Sequence, residues 1–138
     1  MPRKDQIHEA VKNALIKDGW TVLNDPYRIE YEDADVYADL RIEKQVSGGS
    51  AHRVLVIEVK EFTGPSPLNR LEEALGQYQL YRSYLRAIAP DEEVYLAVDK
   101  ASFEKLFVRK SFQRIVEDYN LAILVVDIPR EELFQWIN

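Results

Sequence analysis

Apolar residues recur along the chain with a period that changes several times, and each change predicts a new secondary-structure element. Over residues 5–18 they follow the i, i+3, i+4, i+7 spacing of an amphipathic helix, which Gly19 is well placed to end. Downstream, the pattern predicts a strand, a turn, a short alternating segment and a second turn, over 20–23, 24–26, 27–31 and 33–35.

Two further segments predict a β-hairpin in the middle of the chain. Over residues 36–42 every second side chain is apolar, and Asp39 lies with Tyr37 on the opposite face. Residues 54–62 begin apolar on both faces, which is typical of a central strand. Between them, Ser47-Gly48-Gly49-Ser50 is a flexible turn signal that favours a hairpin connection.

The second half of the chain alternates long helices with strands. The pattern predicts two helices and two strands, over 68–86 and 101–119 and over 93–98 and 121–127. From Pro129, a short C-terminal turn or helix is expected to bring Leu133 and Trp136 back to the body of the protein. No internal repeat or linker interrupts the pattern, so residues 1–138 are expected to form one domain of the α/β class, a sandwich of helices and sheet.

Composition limits the chemistry that this domain can perform. Among 138 residues there is no cysteine and there are two histidines, His8 and His52. Disulfides, thiolate zinc sites and cysteine nucleophiles are therefore excluded, and any metal is expected to be held mainly by oxygen, which favours Mg²⁺ or Mn²⁺. The sequence contains neither a signal peptide nor an apolar run approaching the ~20 residues that cross a bilayer, so a cytoplasmic protein without a membrane partner is expected.

Three charged residues of the predicted hairpin suggest a metal site. If the hairpin is centred on the middle of its turn, Asp39 lies directly opposite Glu58, and Tyr37 lies opposite Lys60, unless a bulge shifts this register. Because two opposed carboxylates repel each other unless a proton or cation lies between them, we predict a divalent-metal site of nuclease type. Its ligands are Asp39, Glu58 and the main-chain carbonyl of Val59. Lys60 would stabilise the attacking hydroxide and the transition state. The alternative is a surface ion pair of Glu58 and Lys60 with an unrelated Asp39 nearby.

A second pair of polar residues lies on the helix that follows. Gln77 and Tyr81 are four residues apart and therefore share one helix face, so both are candidates for a supporting role in the site. The alternative is that they are ordinary helix-surface groups, or that the tyrosine ring simply packs on the sheet.

These residues together resemble the PD-(D/E)xK nuclease superfamily, including its Q-x-x-x-Y helix motif. The resemblance rests on Asp39, on Glu58-Val59-Lys60 at the end of the next strand, and on Gln77 with Tyr81. It implies a restriction-endonuclease-like sandwich, with a mixed central β-sheet flanked by helices, and Mg²⁺-dependent cleavage of phosphodiesters. The chain departs from the motif in having Ala38, not proline, before the acid.

Longer stretches resemble the XisH family, the cyanobacterial family described as fdxN element excision controlling factor. They are residues 8–20, 59–60, 74–78, 95–98 and 135–138, which span essentially the whole chain. The resemblance implies control of the programmed excision of a DNA element, alongside a XisI-like partner protein. Related nucleases often add an acidic residue from the first helix. Glu9 is the candidate for this residue, with a solvated glutamate as the alternative.

The sequence leaves two functions open. One is a Mg²⁺-dependent endonuclease, favoured by the intact triad. The other is a non-catalytic regulatory binding protein that acts through a XisI-like partner or DNA, favoured by the net charge of −6. Basic side chains on the two long helices would either approach a phosphate backbone or form solvated faces, namely Arg82, Arg86, Lys105, Arg109, Lys110 and Arg114. The aromatic residues Tyr78, Tyr84 and Trp136 are expected to be exposed and so suggest a homo-oligomer.

Overall fold

A computed structural model gives the fold and describes residues 4–46 and 51–138. The predicted turn at 47–50 therefore lies outside the described residues. In chain order the elements are α1 Lys4–Lys17, β1 Thr21–Asn24, β2 Tyr27–Tyr31, β3 Ala34–Ala38, β4 Leu40–Gln45, β5 His52–Val59, α2 Pro67–Ile88, β6 Glu93–Asp99, α3 Lys100–Leu106, α4 Lys110–Asp118, β7 Ile123–Asp127 and β8 Glu132–Ile137.

Six of the strands form one mixed sheet in the order β1-β4-β5-β6-β7-β8. The three central strands β5, β6 and β7 are parallel, whereas the outer pairings are antiparallel. Strands β2 and β3 pair separately as a two-stranded ribbon. Helix α1 packs against β8, β1 and β5, helix α2 packs over β6 and β2, and helix α3 packs against β6 and β7. The chain is thus a mixed α/β fold whose central sheet is flanked by helices.

The core lies around the parallel strands because their side chains are apolar on both faces. In β5, the five residues 55–59 are all buried, and residues 94–98 of β6 and 123–126 of β7 are buried as well. A strand with helices on both faces has no solvent side, which explains why these runs are almost continuously hydrophobic. Helix α2 begins where its sequence predicts, since Ser66 caps the N–H of Asn69 and Pro67 occupies the first turn.

The strand predicted over 36–42 is divided at Asp39. Its first part, β3, pairs with β2, and its second part, β4, joins the six-stranded sheet. The break has a local cause, because a carboxylate oxygen of Asp39 accepts the main-chain N–H of Val59 at 2.8 Å, in place of a backbone carbonyl. The predicted pairing of Tyr37 with Lys60 is consequently wrong, and Tyr37 pairs with Arg28 instead.

The helix predicted over 101–119 consists of two helices, α3 and α4. Phe107 and Phe112 both pack on Phe62, with ring centroids 5.4 and 6.2 Å away. Residues five apart on a continuous helix point in directions about 140° apart, so one straight helix would not direct both rings at the same partner. The bend at residues 107–109 allows both contacts.

The C-terminal segment ends in a strand, whereas the sequence predicts only a short turn or helix there. The chain turns at residues 128–131 and then returns as β8, which pairs antiparallel with β7. Leu133 and Trp136 do pack against the core, as predicted. The hydrophobic edge of β7 decides the outcome, because its main-chain groups need a hydrogen-bonding partner that a helix would not supply.

The three aromatic side chains predicted to be exposed are packed. Tyr78 is buried, Tyr84 stacks on Tyr31 with centroids 5.3 Å apart, and Trp136 contacts the rings of Trp20 and Tyr95. The prediction of their exposure is therefore wrong, and they give no support to a homo-oligomer. Within the described residues, none of the helices is both long enough and apolar enough to cross a membrane.

Candidate active site

The β4–β5 hairpin has the register that the sequence predicts. Leu40 pairs with Ile57, and the pairing continues without a shift along β4. Asp39 lies one residue beyond this last pair, so the same register brings it to Glu58. The contact is direct, because the main-chain N–H of Asp39 donates to the carboxylate of Glu58. The Asp39 side chain is simultaneously held by the N–H of Val59. Asp39 and Glu58, which the sequence predicts to face each other, are therefore in contact, and the charge of Asp39 acts on the Glu58 carboxyl.

Glu58 is the one charged residue that is buried in the described part of the chain, with 5% of its surface exposed. Burial and, next in size, the negative charge of Asp39 raise the pKa of its carboxyl to about 7. Lys60 and two hydrogen bonds oppose the rise without cancelling it. A carboxyl in this environment is poorly neutralised by the protein alone, so the site favours an additional proton or cation.

Lys60 follows β5 and points to the same face of the sheet as Glu58. Its main-chain N–H donates to the carbonyl of Ala97, which keeps it in line with the parallel ladder. Its ammonium donates to Gln77 at 2.9 Å and to Glu73 at 3.2 Å, and only 12% of the side chain is exposed. Gln77 thus holds Lys60 by a hydrogen bond. It is not the ordinary helix-surface group of the alternative interpretation.

Tyr81, one turn further along α2, holds the glutamate. Its hydroxyl donates to the main-chain carbonyl of Tyr37 at 2.7 Å and to the carboxylate of Glu58 at 3.3 Å. Burial raises the pKa of the Tyr81 phenol, and so does the adjacent charge of Glu58, so the hydroxyl remains a proton donor. The two helix residues that the sequence singled out consequently hold Lys60 and Glu58, one each.

The structure adds residues that sequence reasoning missed. His8 of α1 approaches Asp39, with Nδ1 3.7 Å from Oδ1, and its Nε2 lies 2.8 Å from a carboxylate oxygen of Asp25. Lys12 donates to the second oxygen of Asp25 at 2.7 Å, which keeps the pKa of that carboxyl below its usual value. His8 and Lys12 are four apart on one helix face, and this spacing was the available signal. Nothing in the sequence linked them to the turn at Asp25.

Glu9, the acidic candidate of the first helix, is not brought to the site by any contact among the described residues. Its side chain is exposed, and its negative charge helps to raise the pKa of Lys12. A role of Glu9 in the site stays a prediction. Its exposed position agrees with the alternative interpretation, a solvated glutamate. Val59 contributes its N–H to Asp39, and its carbonyl likewise stays a predicted ligand.

The donor set of the site fits a hard divalent cation. Asp39 and Glu58 present oxygen atoms, and the burial of Glu58 beside the charge of Asp39, which raises its pKa, suits a further positive charge there. Within residues 4–46 and 51–138, no group of three or more histidine and acidic side chains is arranged to hold a metal. Mg²⁺ does not require such a group, because it keeps several waters and binds through one or two carboxylates. His8 would be available near Asp39 but already contacts Asp25.

The fold and the site define an α/β protein with a carboxylate–lysine centre at the ends of its central strands. Residues 1–134 match the family model described as XisH protein, so the chain belongs to the XisH family. The comparison with curated proteins gave no match.

Two crystal structures are similar over nearly the whole chain. One is an fdxN element excision controlling factor protein from Anabaena variabilis, 34% identical, with a TM-score of 0.86, covering 98% of this chain and 100% of that one. The other is an XisH family protein from Nostoc punctiforme PCC 73102, 32% identical, with a TM-score of 0.85, covering 97% of this chain and 100% of that one.

Proposed function

We propose that this XisH family member is a controlling factor for the programmed excision of a DNA element and that it carries a Mg²⁺- or Mn²⁺-dependent endonuclease site. The controlling role is the one that the name of its Anabaena variabilis neighbour states for that protein. The fold would then be the restriction-endonuclease-like sandwich of the PD-(D/E)xK superfamily. The catalytic residues would be Asp39, Glu58 and Lys60, supported by Gln77 and Tyr81.

The burial of Glu58 beside Asp39 is the observation that carries this proposal. A surface ion pair with Lys60, which is the alternative, needs neither a 5% exposed glutamate nor a second carboxylate against it. Leaving a charged group buried and poorly neutralised costs stability, so proteins retain such groups mainly at functional sites. The carboxylates are also held from three sides, by the N–H of Val59, the hydroxyl of Tyr81 and the backbone of Asp39.

Each residue has a role that follows from its position. Asp39 and Glu58 would bind the cation, which when bound lowers the pKa of a water and neutralises charge on the phosphate oxygens. Lys60 would place its ammonium beside the attacked phosphate, because Gln77 fixes its direction at 2.9 Å. Tyr81 would keep Glu58 oriented between the ribbon and the sheet.

The test is cleavage of supercoiled and branched DNA with 10 mM Mg²⁺ or Mn²⁺. Wild type is expected to nick or cut, and Lys60→Ala and Glu58→Gln are expected to lose at least a hundredfold in rate, since each removes a charged group from the transition state. Lys44→Ala is the matched control for the lysine, because Lys44 lies on the same hairpin but contacts Asp18 at the other end of β4. Activity in Lys60→Ala equal to wild type would show that the cleaving agent is a contaminant or another site.

A second candidate is a non-catalytic regulator that acts through a XisI-like partner, and one observation favours it. The ammonium of Lys60 already contacts Glu73 and Gln77, and Glu58 is almost inaccessible to solvent. Both charged groups of the site are therefore largely covered by contacts within the protein. Co-expression with the partner separates the two candidates. A regulator would form a stable complex that Lys60→Ala leaves intact, and neither the protein nor the complex would cleave DNA.

A further inference from the structure

The bend between α3 and α4 carries a concentrated positive charge, in a chain whose net charge is −6. Residues 105–114, named here the basic elbow, contain four cations and no acid; they are Lys105, Arg109, Lys110 and Arg114. All four side chains are exposed. The nearest acidic residues along the chain are Glu104 and Glu117, one on each side of the segment. The elbow is therefore a local basic surface on an acidic protein.

Most of this charge is not neutralised within the protein. Arg114 forms a loose ion pair with Asp118 at 3.5 Å, with 80% of the arginine side chain exposed. Among the residues that the structure describes, Lys105, Arg109 and Lys110 have no carboxylate within ion-pair distance. The other cations of the chain contrast with them, since Arg41 and Arg53 each form two hydrogen bonds to a glutamate.

The buried side of the elbow is fixed to the end of β5 that carries the candidate active site. Phe107 and Phe112 pack on Phe62, and all three rings are buried. Phe62 follows Lys60 by two residues along the chain. The elbow is therefore anchored to a residue two positions from Lys60, and its four cations are exposed around the same bend.

The start of α4 adds a second feature that suits an anion. Its N-cap is Arg109, no side chain caps the first turn, and the first turn contains no acidic residue. The unpaired N–H groups of a helix start favour negatively charged ligands, above all phosphates. Here they coincide with Arg109 and Lys110, whereas the starts of α2 and α3 are capped by Ser66 and Asp99.

We propose that the basic elbow binds the phosphate backbone of double-stranded DNA and guides one strand towards Glu58 and Lys60. The identity of the partner rests on the proposed function, since a phosphodiester-cleaving site beside the elbow would need a duplex held there. Long cationic side chains spread around a bend contact several successive phosphates without reading bases. The elbow thus supplies affinity that does not depend on sequence.

The test is equilibrium binding of a fluorescent 30-base-pair duplex in EDTA, followed by anisotropy between 50 and 200 mM salt. The elbow variant changes Lys105, Arg109, Lys110 and Arg114 to glutamine. Wild type is expected to bind more weakly as salt rises, and the elbow variant is expected to have a Kd at least tenfold higher. The slope of log K against log salt should also fall in magnitude by about 2 to 4, because each lost phosphate contact removes about 0.9.

A control variant with the same change in net charge measures how much of the lost affinity comes from net charge alone. It changes four solvent-accessible cations away from the elbow to glutamine, namely Lys17, Arg28, Lys44 and Arg130. Its Kd is expected to stay within twofold of wild type. Equal losses in both variants, or no duplex binding by wild type, would overturn the proposal. Circular dichroism melting of each variant confirms that the fold is retained.

Two further experiments distinguish this proposal from binding of an acidic protein and from the nuclease proposal. Poly-glutamate competing as well as the duplex for wild type would assign the elbow to an acidic protein and overturn the DNA assignment. If wild type binds through the elbow but cuts no DNA with Mg²⁺ or Mn²⁺, the nuclease proposal fails while the elbow proposal stands.

Discussion

At the scale of single residues, the pKa of Glu58 is the property that distinguishes this protein. An acid with a raised pKa is destabilising when ionised, because the folded protein holds the charge less well than water does. With a pKa of about 7 against an ordinary value of 4.5, the cost of ionising Glu58 in the folded protein is about 3 kcal/mol. The protein retains this group in a position where an apolar or neutral residue would be more stable.

Glu58→Gln is therefore expected to stabilise the protein without metal. The amide oxygen can still accept from Tyr81, and the substitution removes the charge that Asp39 repels. Below pH 4.5 the glutamate is protonated in both folded and unfolded states, so the variant should gain little. Between pH 4.5 and about 7 the unfolded state ionises first, so wild type loses stability as the pH rises and the gain of the variant grows.

Above pH 7 the difference should level off at about 3 kcal/mol. The measurement is urea unfolding of both proteins from pH 4 to pH 8.5 in EDTA, with the exposed Glu72→Gln as a control that should show no comparable trend. A Glu58→Gln variant that is less stable than wild type at pH 8 would contradict the burial of a charged, repelled glutamate.

At the scale of elements, α2 is the helix that assembles the site. Through Tyr81 it joins the ribbon strand β3, at the carbonyl of Tyr37, to the central strand β5, at Glu58. Through Gln77 it holds Lys60. Four residues separate these two side chains, which is one helical turn, so a single helix face determines the direction of both charged groups.

Tyr81→Phe is expected to lower both stability and metal affinity. The lost hydroxyl leaves the carbonyl of Tyr37 without this donor, which should cost about 1 to 2 kcal/mol. Tyr78→Phe on the same helix is the matched control, since its buried hydroxyl bonds the carbonyl of Asn120 and the N–H of Ala122, far from the carboxylates. Both variants should lose similar stability in EDTA. Only Tyr81→Phe should weaken Mn²⁺ binding in a calorimetric titration, and equal Mn²⁺ affinities would count against a positioning role.

At the scale of the whole molecule, the site ties together parts of the chain that are far apart in sequence. α1 contributes His8, the β1–β2 turn contributes Asp25, the hairpin contributes Asp39 and Glu58, and α2 contributes Tyr81. A cation bound at the two carboxylates would therefore stabilise the folded protein globally, because the unfolded chain does not bring them together.

The melting temperature is accordingly expected to rise on adding 10 mM Mg²⁺ or 1 mM Mn²⁺ at pH 8, by about 2 to 6 °C. At pH 5 the rise should be small, because Glu58 with a pKa of about 7 is then protonated and must lose its proton to bind metal. Differential scanning calorimetry measures both. Asp39→Asn should abolish the rise at pH 8, and an undiminished rise in that variant would show that the metal binds elsewhere.

Much of the site was predictable because it depends on short-range spacing. The turn signal at 47–50 and the alternation on either side set the register that the hairpin shows from Leu40 opposite Ile57 onwards. The i, i+4 spacing placed Gln77 and Tyr81 on one face. The fold was less predictable where contacts between distant segments determine the shape of an element. Apolar periodicity alone did not show that the helix over 101–119 bends so that Phe107 and Phe112 both reach Phe62.

The sequence by itself determined which residues share a strand or helix face, because the periods of 2.0 and 3.6 residues are properties of the local backbone. Together with the turn signal of the hairpin, these periods predicted that Asp39 faces Glu58, with Lys60 on the same strand face as Glu58. Only the tertiary structure decided how deeply Glu58 is buried, that His8 and Asp25 approach Asp39, and that residues 132–137 close the sheet as β8. Burial, charge proximity and the pairing of an open sheet edge depend on segments distant in the chain, and no local pattern encodes those distances.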